Sequence, residues 1–372
     1  VLNAGEAGRG FMNLATAAAG QLKGGAAKVS VLASALFGSI SGSASANVAS
    51  TGAITLPAMR KLGYPPAFAG AVEAVASSGG QIMPPLMGAG AFVMVELTGI
   101  PYTQIVTAAL LPALLYFFAV WIGINAFATR YHLAAVILAE RPAPKTVFIT
   151  SFFFAVPFVI LLERMFLAGF TPQFAACVAI VAAFIMLFVD AQFSFSWSRT
   201  LARIENVFLN AGQQISMIAA IIVCASIIIG VLGQTGLGVK ITSLILSASG
   251  SSVWPALFLT ALACLILGME VPTTAAYVIC VSVAGPALQT LGLAPLQAHL
   301  FVFWFALLST ITPPVCGAVF IAAGMVVENW IRVAIRAMAL GIGLYLIPLG
   351  MIANIFFSAV FFSYASTFFA RC

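Results

Sequence analysis

The sequence Ile82-Met83-Pro84-Pro85-Leu86-Met87-Gly88-Ala89 recurs as Ile311-Thr312-Pro313-Pro314-Val315-Cys316-Gly317-Ala318, 229 positions further along the chain. The two copies share the pattern I-x-P-P-x-x-G-A. A second match lies upstream at nearly the same spacing, where residues Gly5–Gly10 correspond to Gly233–Gly238. Two collinear matches at almost one spacing indicate that the chain contains two related units.

The composition places both units in a membrane. Hydrophobic residues make up 63% of the 372 residues and charged residues only 6%, with a mean hydropathy of +1.15. A soluble domain carries about a quarter charged residues. Strand-type alternation is absent, so the long apolar segments are predicted to be membrane-spanning helices. These segments are Ile105–Ala128, Val147–Leu167, Phe174–Val189, Ile215–Leu232 and Val333–Phe357.

Several classes of protein are excluded. The net charge of +6 comes from basic residues at helix ends, which orient a membrane protein and do not indicate nucleic acid binding. The six cysteines have neither CxxC nor metal-binding spacing. Because Ser-His-Asp, HExxH, GxSxG and P-loop patterns are absent, the sequence supports neither an enzyme nor an ATP-driven pump, and we expect no cofactor.

The distribution of charge predicts that the two units have opposite orientations. The segment Ala27–Leu62 is flanked by basic residues, whereas its counterpart Ser252–Leu293 has none at either end. The flanking residues are Lys23, Lys28, Arg60 and Lys61. By the positive-inside rule, the first segment enters from the cytoplasm and the second from the far side. We therefore predict inverted-topology repeats with two re-entrant helical hairpins and two broken transmembrane helices, as in many secondary transporters.

The predicted organisation follows the repeat. Residues 1–128 form the first unit, with an amphipathic helix, a hairpin, a broken helix and a long helix. Residues 129–145 form a cytoplasmic loop, and residues 146–232 contribute scaffold-type helices of the second unit. Residues 233–357 hold the second hairpin, broken helix and long helix, followed by a tail at 358–372. Since the first unit lacks counterparts of the scaffold-type helices, we expect roughly 85 residues to precede Val1 or another chain to supply them.

Four polar stretches interrupt the apolar sequence. We call Gly38–Asn47, Ser77–Gln81, Gly268–Thr274 and Ser309–Thr312 the first to fourth polar stretches. The second and fourth precede Pro-Pro pairs, which remove backbone donors and predict broken helices with free carbonyls. Carbonyl, Ser, Thr and Asn oxygens suit a small cation, and helix N-termini favour an anionic group. Alternatively, the small residues only let helices pack closely.

Two acidic residues lie within apolar sequence, where a carboxylate is costly and indicates function. Glu73 is either such a functional residue or a helix-end residue that pairs with Arg60 or Lys61. Glu270 is either a cation or proton site or a cap for the following helix.

At these residues the sequence resembles a known family. The chain resembles the large membrane subunit of TRAP (tripartite ATP-independent periplasmic) transporters. The similar segments are Leu36–Ser43, Ala46–Val48, Ser77–Pro85, Gly268-Met269, Pro272–Tyr277 and Ala298–Phe303. Gly79–Pro85 and Pro272–Tyr277 look most like fused permeases that work with TAXI-type binding proteins. The resemblance implies a sodium-coupled secondary transporter of elevator type in the inner membrane of a bacterium or archaeon. Its expected partners are an organic acid substrate, a periplasmic solute-binding protein, and a small membrane subunit or additional N-terminal helices.

The resemblance also assigns roles within the four polar stretches. The expected substrate contacts are Ser41, Gly42, Ser43, Asn47, Gly79, Gly80, Pro272, Thr273, Thr274 and Thr312. The expected sodium ligands are Ser45, Asn47, Ser77, Ser78, Gly268, Glu270, Thr273, Ser309 and Thr310. The family usually has a small residue at the position of Glu270. A proton-coupled transporter that uses Glu270 or Glu73 is therefore the main alternative, and a channel or non-transporting membrane scaffold is another.

Overall fold

The computed structural model describes residues 1–131, 133, 135–136, 141–192, 194–250, 252–269 and 271–353. Within these ranges the chain forms sixteen α-helices and no strand, so the prediction of an all-α protein is confirmed. In chain order they are α1 Ala7–Ala19, α2 Gly25–Ser41, α3 Ala44–Lys61, α4 Pro66–Gly79, α5 Gly88–Thr98, α6 Tyr102–Arg130, α7 Pro144–Leu162, α8 Pro172–Ile185, α9 Trp197–Thr235, α10 Leu237–Ser249, α11 Val253–Leu267, α12 Thr273–Thr290, α13 Pro295–Leu308, α14 Gly317–Val326, α15 Trp330–Leu340 and α16 Ile342–Ala353.

Helices α2 and α3 pack together and are joined by a tight turn. Gly42 ends α2 with φ +63°, a left-handed conformation that glycine adopts without a steric penalty. The side chain of Ser43 then caps α3 by accepting a hydrogen bond from the Ala46 amide at 3.3 Å. Helices α11 and α12 also pack together, and Glu270, which lies between them in the sequence, is outside the described residues.

Both Pro-Pro pairs interrupt the helical path. Helix α4 begins with a proline at its first position, ends at Gly79, and is followed by a 3₁₀ turn at Gly80–Ile82. The pair Pro84-Pro85 prevents continuation, so α5 starts a new helix at Gly88. The pair Pro313-Pro314 separates α13 from α14 in the same way. A second change of direction follows, since α14 and α15 are bent by 119°.

The same helix bounds occur twice along the chain. Helices α3 and α4 begin at positions 44 and 66, and α12 and α13 begin 229 positions later with the same lengths. Helix α1 has its equal in α10, 230 positions later. Helices α3 and α4 are thus separated from α12 and α13 by the same 229 positions that separate the two Pro-Pro motifs.

Among the described residues, three helical segments are long and apolar enough to cross a membrane: Tyr102–Arg130, Pro144–Leu167 and Trp197–Thr235. The bent pair α14–α15 adds a fourth if it is one span. Large apolar side chains on these segments face outward, among them Phe118, Phe148 and Ile215. Outward apolar side chains are what a lipid environment requires.

Two of the predicted spans differ from the helices observed. The segment predicted at Phe174–Val189 forms α8, whose 14 residues extend only ~21 Å, and then a short 3₁₀ turn. The segment predicted at Val333–Phe357 is interrupted at Gly341, where α15 ends, and its last four residues lie outside the described ranges. Apolar composition alone did not indicate either interruption.

The protein core surrounds α4 and α13. Helix α4 packs against α2, α3, α14 and α15, and α13 packs against α11 and α12. Almost every side chain of both helices is buried. Among them, the indole nitrogen of Trp304 donates to the Leu344 carbonyl at 2.9 Å. The C-terminal ends of α4 and α13, where the helical path breaks, therefore lie inside the protein.

Candidate functional site

The first and second polar stretches are joined by one amide. The side chain of Asn47, at the start of α3, is fully buried. Its Nδ2 donates to the Ser34 carbonyl of α2 at 3.0 Å and to the Ser77 carbonyl of α4 at 3.3 Å. One side chain thus connects both helices of the first hairpin to the end of the broken helix.

Glycines allow the backbones of these two stretches to touch. A Cβ atom on Gly80 would lie 2.6 Å from both the Gly38 Cα and the Ser34 carbonyl oxygen. A Cβ atom on Gly42 would lie 2.6 Å from the Gly88 Cα. No side chain fits at either contact, so glycine is required at both for steric reasons.

The second stretch also contacts the fourth, and the fourth contacts the third. The hydroxyls of Ser78 and Thr310 lie 2.8 Å apart. The neighbouring hydroxyl of Ser309 lies 2.9 Å from the Gly268 carbonyl and 2.7 Å from that of Ala306, its two possible acceptors. The four polar stretches therefore form one continuous interior series, in the order first, second, fourth, third. The sequence predicts these stretches as one site but does not indicate which of them are in contact.

Next to this series lies a fully buried carboxylate. Glu73, on α4, has no exposed surface. The hydroxyls of Ser30 and Thr55 donate to its Oε2, and those of Thr51 and Ser77 donate to its Oε1. The Ser30 bond is 2.8 Å long and the Ser77 bond 3.3 Å. The Ser34 hydroxyl also lies 3.5 Å from Oε1, so the carboxylate accepts hydrogen bonds from hydroxyls on α2, α3 and α4.

The surroundings of Glu73 exclude the predicted pairing with Arg60. The residue is not a helix-end group paired with Arg60, because the Arg60 guanidinium donates to the Val326 carbonyl at 2.8 Å. It instead lies where α2, α3 and α4 pack together, surrounded by hydroxyl groups.

The hydroxyl partners were missed by sequence reasoning, although a signal was present. On each of three helices, successive polar residues are four positions apart. They are Ser30 and Ser34 on α2, Asn47, Thr51 and Thr55 on α3, and Glu73 and Ser77 on α4. That spacing places polar groups on one face of a helix. Three polar faces on three otherwise apolar helices predict that they meet in the interior.

One sequence expectation about the Pro-Pro pairs is wrong. The Gly80 carbonyl, four residues before Pro84, is not free, because it accepts the Met83 amide at 3.2 Å. The Thr310 carbonyl, four residues before Pro314, accepts the Ala318 amide at 3.2 Å. Backbone amides therefore supply these missing donors, and the Tyr102 hydroxyl lies 2.7 Å from the Pro85 oxygen and 2.9 Å from the Leu86 oxygen.

The remaining candidate residues have varied surroundings. Ser45 is exposed and Ser43 is engaged as the cap of α3. Thr273 and Thr274 are buried beside Pro272 at the start of α12. The Thr312 hydroxyl donates to the Leu308 carbonyl at 2.7 Å and lies 2.7 Å from the Tyr345 hydroxyl. Gly79 packs against the ring of Tyr116, and Ser41 has a buried hydroxyl without a partner among the described residues. The roles expected for Glu270 lie outside the described residues.

Apolar helices that face outward, around an interior series of polar helix ends, define a multi-pass membrane protein. The chain belongs to the family described as tripartite ATP-independent periplasmic transporter, DctM component, whose sequence model matches residues 1–364. The resemblance to TRAP large permeases is therefore confirmed, and the family is one of transporter permeases rather than enzymes.

Curated relatives carry the same family name. The C4-dicarboxylate TRAP transporter large permease protein DctM of Pseudomonas aeruginosa is 28% identical over 349 residues, covering 90% of this chain and 77% of the relative. The 2,3-diketo-L-gulonate TRAP transporter large permease protein YiaN of Escherichia coli is 24% identical over 333 residues, covering 87% and 75%. The isethionate TRAP transporter permease protein DctMQ of Oleidesulfovibrio alaskensis is 39% identical over 84 residues, 23% of this chain and 13% of the relative.

Proposed function

We propose that this chain is the permease of a secondary transporter that imports an organic acid anion together with sodium. The observation that carries this proposal is the interior series that joins the four polar stretches through Asn47, Ser78 and Ser309. Buried hydroxyl, amide and carbonyl oxygens are the ligands that a small hard cation prefers. Such groups within apolar helices are typical of transport pathways.

The substrate class follows from relatives and from helix ends. The three relatives above are named for a C4-dicarboxylate, 2,3-diketo-L-gulonate and isethionate, which are all organic acid anions. In this chain α3, α5, α12 and α14 each begin immediately after a break, and the positive N-terminal end of a helix favours an anion. None of the four polar stretches contains Lys or Arg. Helix ends and a bound cation would therefore supply the positive charge.

The proposed architecture is a pair of inverted units with re-entrant hairpins α2–α3 and α11–α12. The matching helix bounds support two units, and the basic residues around the first hairpin support opposite orientation. In an elevator mechanism, the hairpins and broken helices would carry the solute against the remaining helices. A TAXI-type periplasmic binding protein would deliver the solute, and a small membrane subunit would complete the complex in a bacterial or archaeal inner membrane.

Reconstituted uptake tests the coupling ion. The permease with its partner subunits and binding protein is placed in liposomes, and accumulation of a radiolabelled organic acid is followed. Accumulation that requires an inward sodium gradient supports the proposal. Passive flux without accumulation would reject it in favour of a channel.

Asn47→Ala tests the assigned site. We expect a higher sodium concentration for half-maximal uptake, because the amide that joins α2, α3 and α4 is lost. Asn210→Ala is the matched control, since the side chain of Asn210 is exposed and bonds only to the Asn206 carbonyl of its own helix. An unchanged sodium dependence in Asn47→Ala would remove this residue from the ion site.

A proton-coupled transporter is the second candidate, and the hydroxyl cluster around Glu73 favours it. The Thr51 hydroxyl also lies 2.8 Å from the Asn47 carbonyl, and the Thr55 hydroxyl lies 3.0 Å from the Thr51 carbonyl. Either hydroxyl can turn its hydrogen to the carbonyl of its own helix and accept a hydrogen bond from the O–H of a neutral carboxyl group. The cluster therefore provides hydrogen bonds to both the ionised and the neutral carboxyl.

Four basic groups on the surrounding helices are engaged elsewhere, and the side chains that hydrogen-bond to Glu73 are hydroxyls. Lys28 lies over the ring of Trp121, Arg60 bonds to Val326, Arg332 pairs with Glu328, and Arg336 lies over Phe127. In the liposome assay, uptake driven by a pH gradient without sodium and abolished by Glu73→Gln would favour proton coupling. Sodium-driven uptake that persists in Glu73→Gln would exclude it.

A further inference from the structure

An open groove lies between the last part of α1 and the start of α7. The two helices touch where they cross, because a Cβ atom on Gly10 would lie 2.4 Å from the Thr150 carbonyl oxygen and the Asn13 amide donates to the Thr150 hydroxyl at 3.1 Å. Next to this crossing point a groove of about 430 Å³ remains between them, a volume typical of ligand sites. Leu14, Ala17 and Gln21 line it from α1, and Val147 and Phe148 line it from α7.

The groove is basic where α7 begins. Arg141 lines it, and the Nε and Nη2 atoms of Arg141 donate to the Val136 carbonyl at 3.1 and 3.0 Å, which fixes the position of the guanidinium. Lys23 and Lys145 are exposed and lie within two positions of lining residues. Residues 129–145 contain three basic residues and one acid, Glu140, which lies outside the described residues. An anion is therefore favoured here, and a guanidinium is well suited to a phosphate group.

From the groove, an apolar stripe continues along the outer face of α7. Phe148, Phe152 and Val159 are 76%, 52% and 61% exposed and lie on one face of the helix, because they are separated by four and seven residues. Between Phe148 and Val159 the helix rises ~16 Å, about half of the ~30 Å hydrocarbon core of a bilayer. The stripe thus has the length of one leaflet, which is the depth that an acyl chain occupies.

These two properties together define the chemistry of the ligand. A small soluble anion would need only the basic residues, and a purely apolar molecule would need only the stripe. A groove that is basic at one end and continues into an apolar stripe fits an amphiphile with an anionic head. Basic pockets at the cytoplasmic ends of membrane helices attract anionic lipids.

We propose that the groove between α1 and α7 binds an anionic phospholipid, with the phosphate at Arg141 and an acyl chain along Phe148, Phe152 and Val159. This inference rests on the proposed cytoplasmic position of residues 129–145, but it is independent of the transported solute and of the coupling ion. Helix α1 also packs against α2 of the first hairpin. The bound lipid therefore stabilises the contact between α7 and the helix that precedes this hairpin.

The first experiment measures which lipid binds. The full chain is purified in detergent micelles, and its unfolding midpoint is recorded as dioleoyl phosphatidylglycerol is added. We expect the midpoint to rise with this anionic lipid, and to stay unchanged with the same concentration of zwitterionic dioleoyl phosphatidylcholine or of glycerol 1-phosphate. An equal rise with phosphatidylcholine would indicate solvation by any lipid, and a rise with glycerol 1-phosphate would indicate a site for free phosphate. Either result would overturn the proposal.

The second experiment locates the site. Arg141→Gln removes the fixed charge, and Ala17→Trp fills the groove without changing its charge, so we expect each to raise the Kd for phosphatidylglycerol about tenfold or more. Arg9→Gln and Ala18→Trp are the matched controls and should keep the wild-type Kd, because Arg9 pairs with Glu6 at 3.4 Å and Ala18 is exposed on α1 outside the groove.

The outcome does not depend on transport. If Arg141→Gln fails to fold, Ala17→Trp still tests the groove with every charge in place. A wild-type Kd in either folded variant would overturn the proposal. Because no solute or sodium is needed for the measurement, the absence of sodium-driven uptake would reject the proposed function and leave the lipid site to be decided by these Kd values.

Discussion

Replacing Thr55 with valine removes one hydroxyl from the buried carboxylate and leaves the shape of the side chain almost unchanged. Glu73 Oε2 then keeps a single donor, Ser30 at 2.8 Å. A hydrogen bond to an ionised group contributes about 1.5–3 kcal/mol, and one between neutral groups in a membrane protein about 0.6 kcal/mol. We therefore expect Thr55→Val to lower the free energy of unfolding by at least about 0.6 kcal/mol.

A double-mutant cycle with Glu73→Gln isolates this interaction. The four proteins are unfolded in mixed micelles and followed by tryptophan fluorescence. A coupling energy above about 1.5 kcal/mol would indicate that Glu73 is ionised. A coupling energy near about 0.6 kcal/mol would indicate that Glu73 is neutral. Thr107→Val is the control, because the Thr107 hydroxyl bonds to carbonyls of its own helix at 3.0 Å. A coupling within about 0.3 kcal/mol of zero would refute the assigned contact.

Three further changes have defined outcomes. Gly80→Ala should destabilise the protein by about 1–3 kcal/mol or more and reduce uptake, because the backbones at this contact must separate. Gly324→Ala is the control and should do neither, because a Cβ atom at Gly324 would have nothing within 4 Å. Tyr102→Phe should lower the free energy of unfolding by about 1 kcal/mol, measured in micelles, because the Pro85 and Leu86 carbonyls lose the one hydroxyl hydrogen within their reach. Hydrogen bonds from Ser194 lower the pKa of Asp190 from 3.8 to about 2, so its stabilisation is complete above about pH 4 and is lost as the pH falls to about 2. In Asp190→Asn, the midpoint of unfolding should change less between about pH 4 and about pH 2 than it does in the wild type.

The breaks in the fold could be predicted from local sequence. The Pro-Pro pairs end α4 and α13 whatever surrounds them, because proline removes a backbone donor. Gly42 and Ser43 similarly mark the turn between α2 and α3. The two interruptions at Gly341 and after α8 were not predicted, since the surrounding residues remain apolar.

The contacts of the candidate site were harder to predict. Thr51 and Thr55 reach Glu73 from 22 and 18 residues away, so their role depends on how three helices pack. The spacing of four residues was visible in the sequence, but a single Ser or Thr within an apolar helix is equally compatible with close packing. The donor for the Pro85 carbonyl comes from Tyr102 on another helix, which local reasoning cannot anticipate.

The two glycine contacts between α2 and the region after α4 have a mechanical consequence. At these two contacts backbone meets backbone, so no side chain lies between the first hairpin and the first broken helix there that could rearrange. Sliding one past the other would also break both hydrogen bonds of the Asn47 amide. These elements are therefore expected to move together as one rigid body. The interfaces that change during transport should lie where flexible side chains separate the helices.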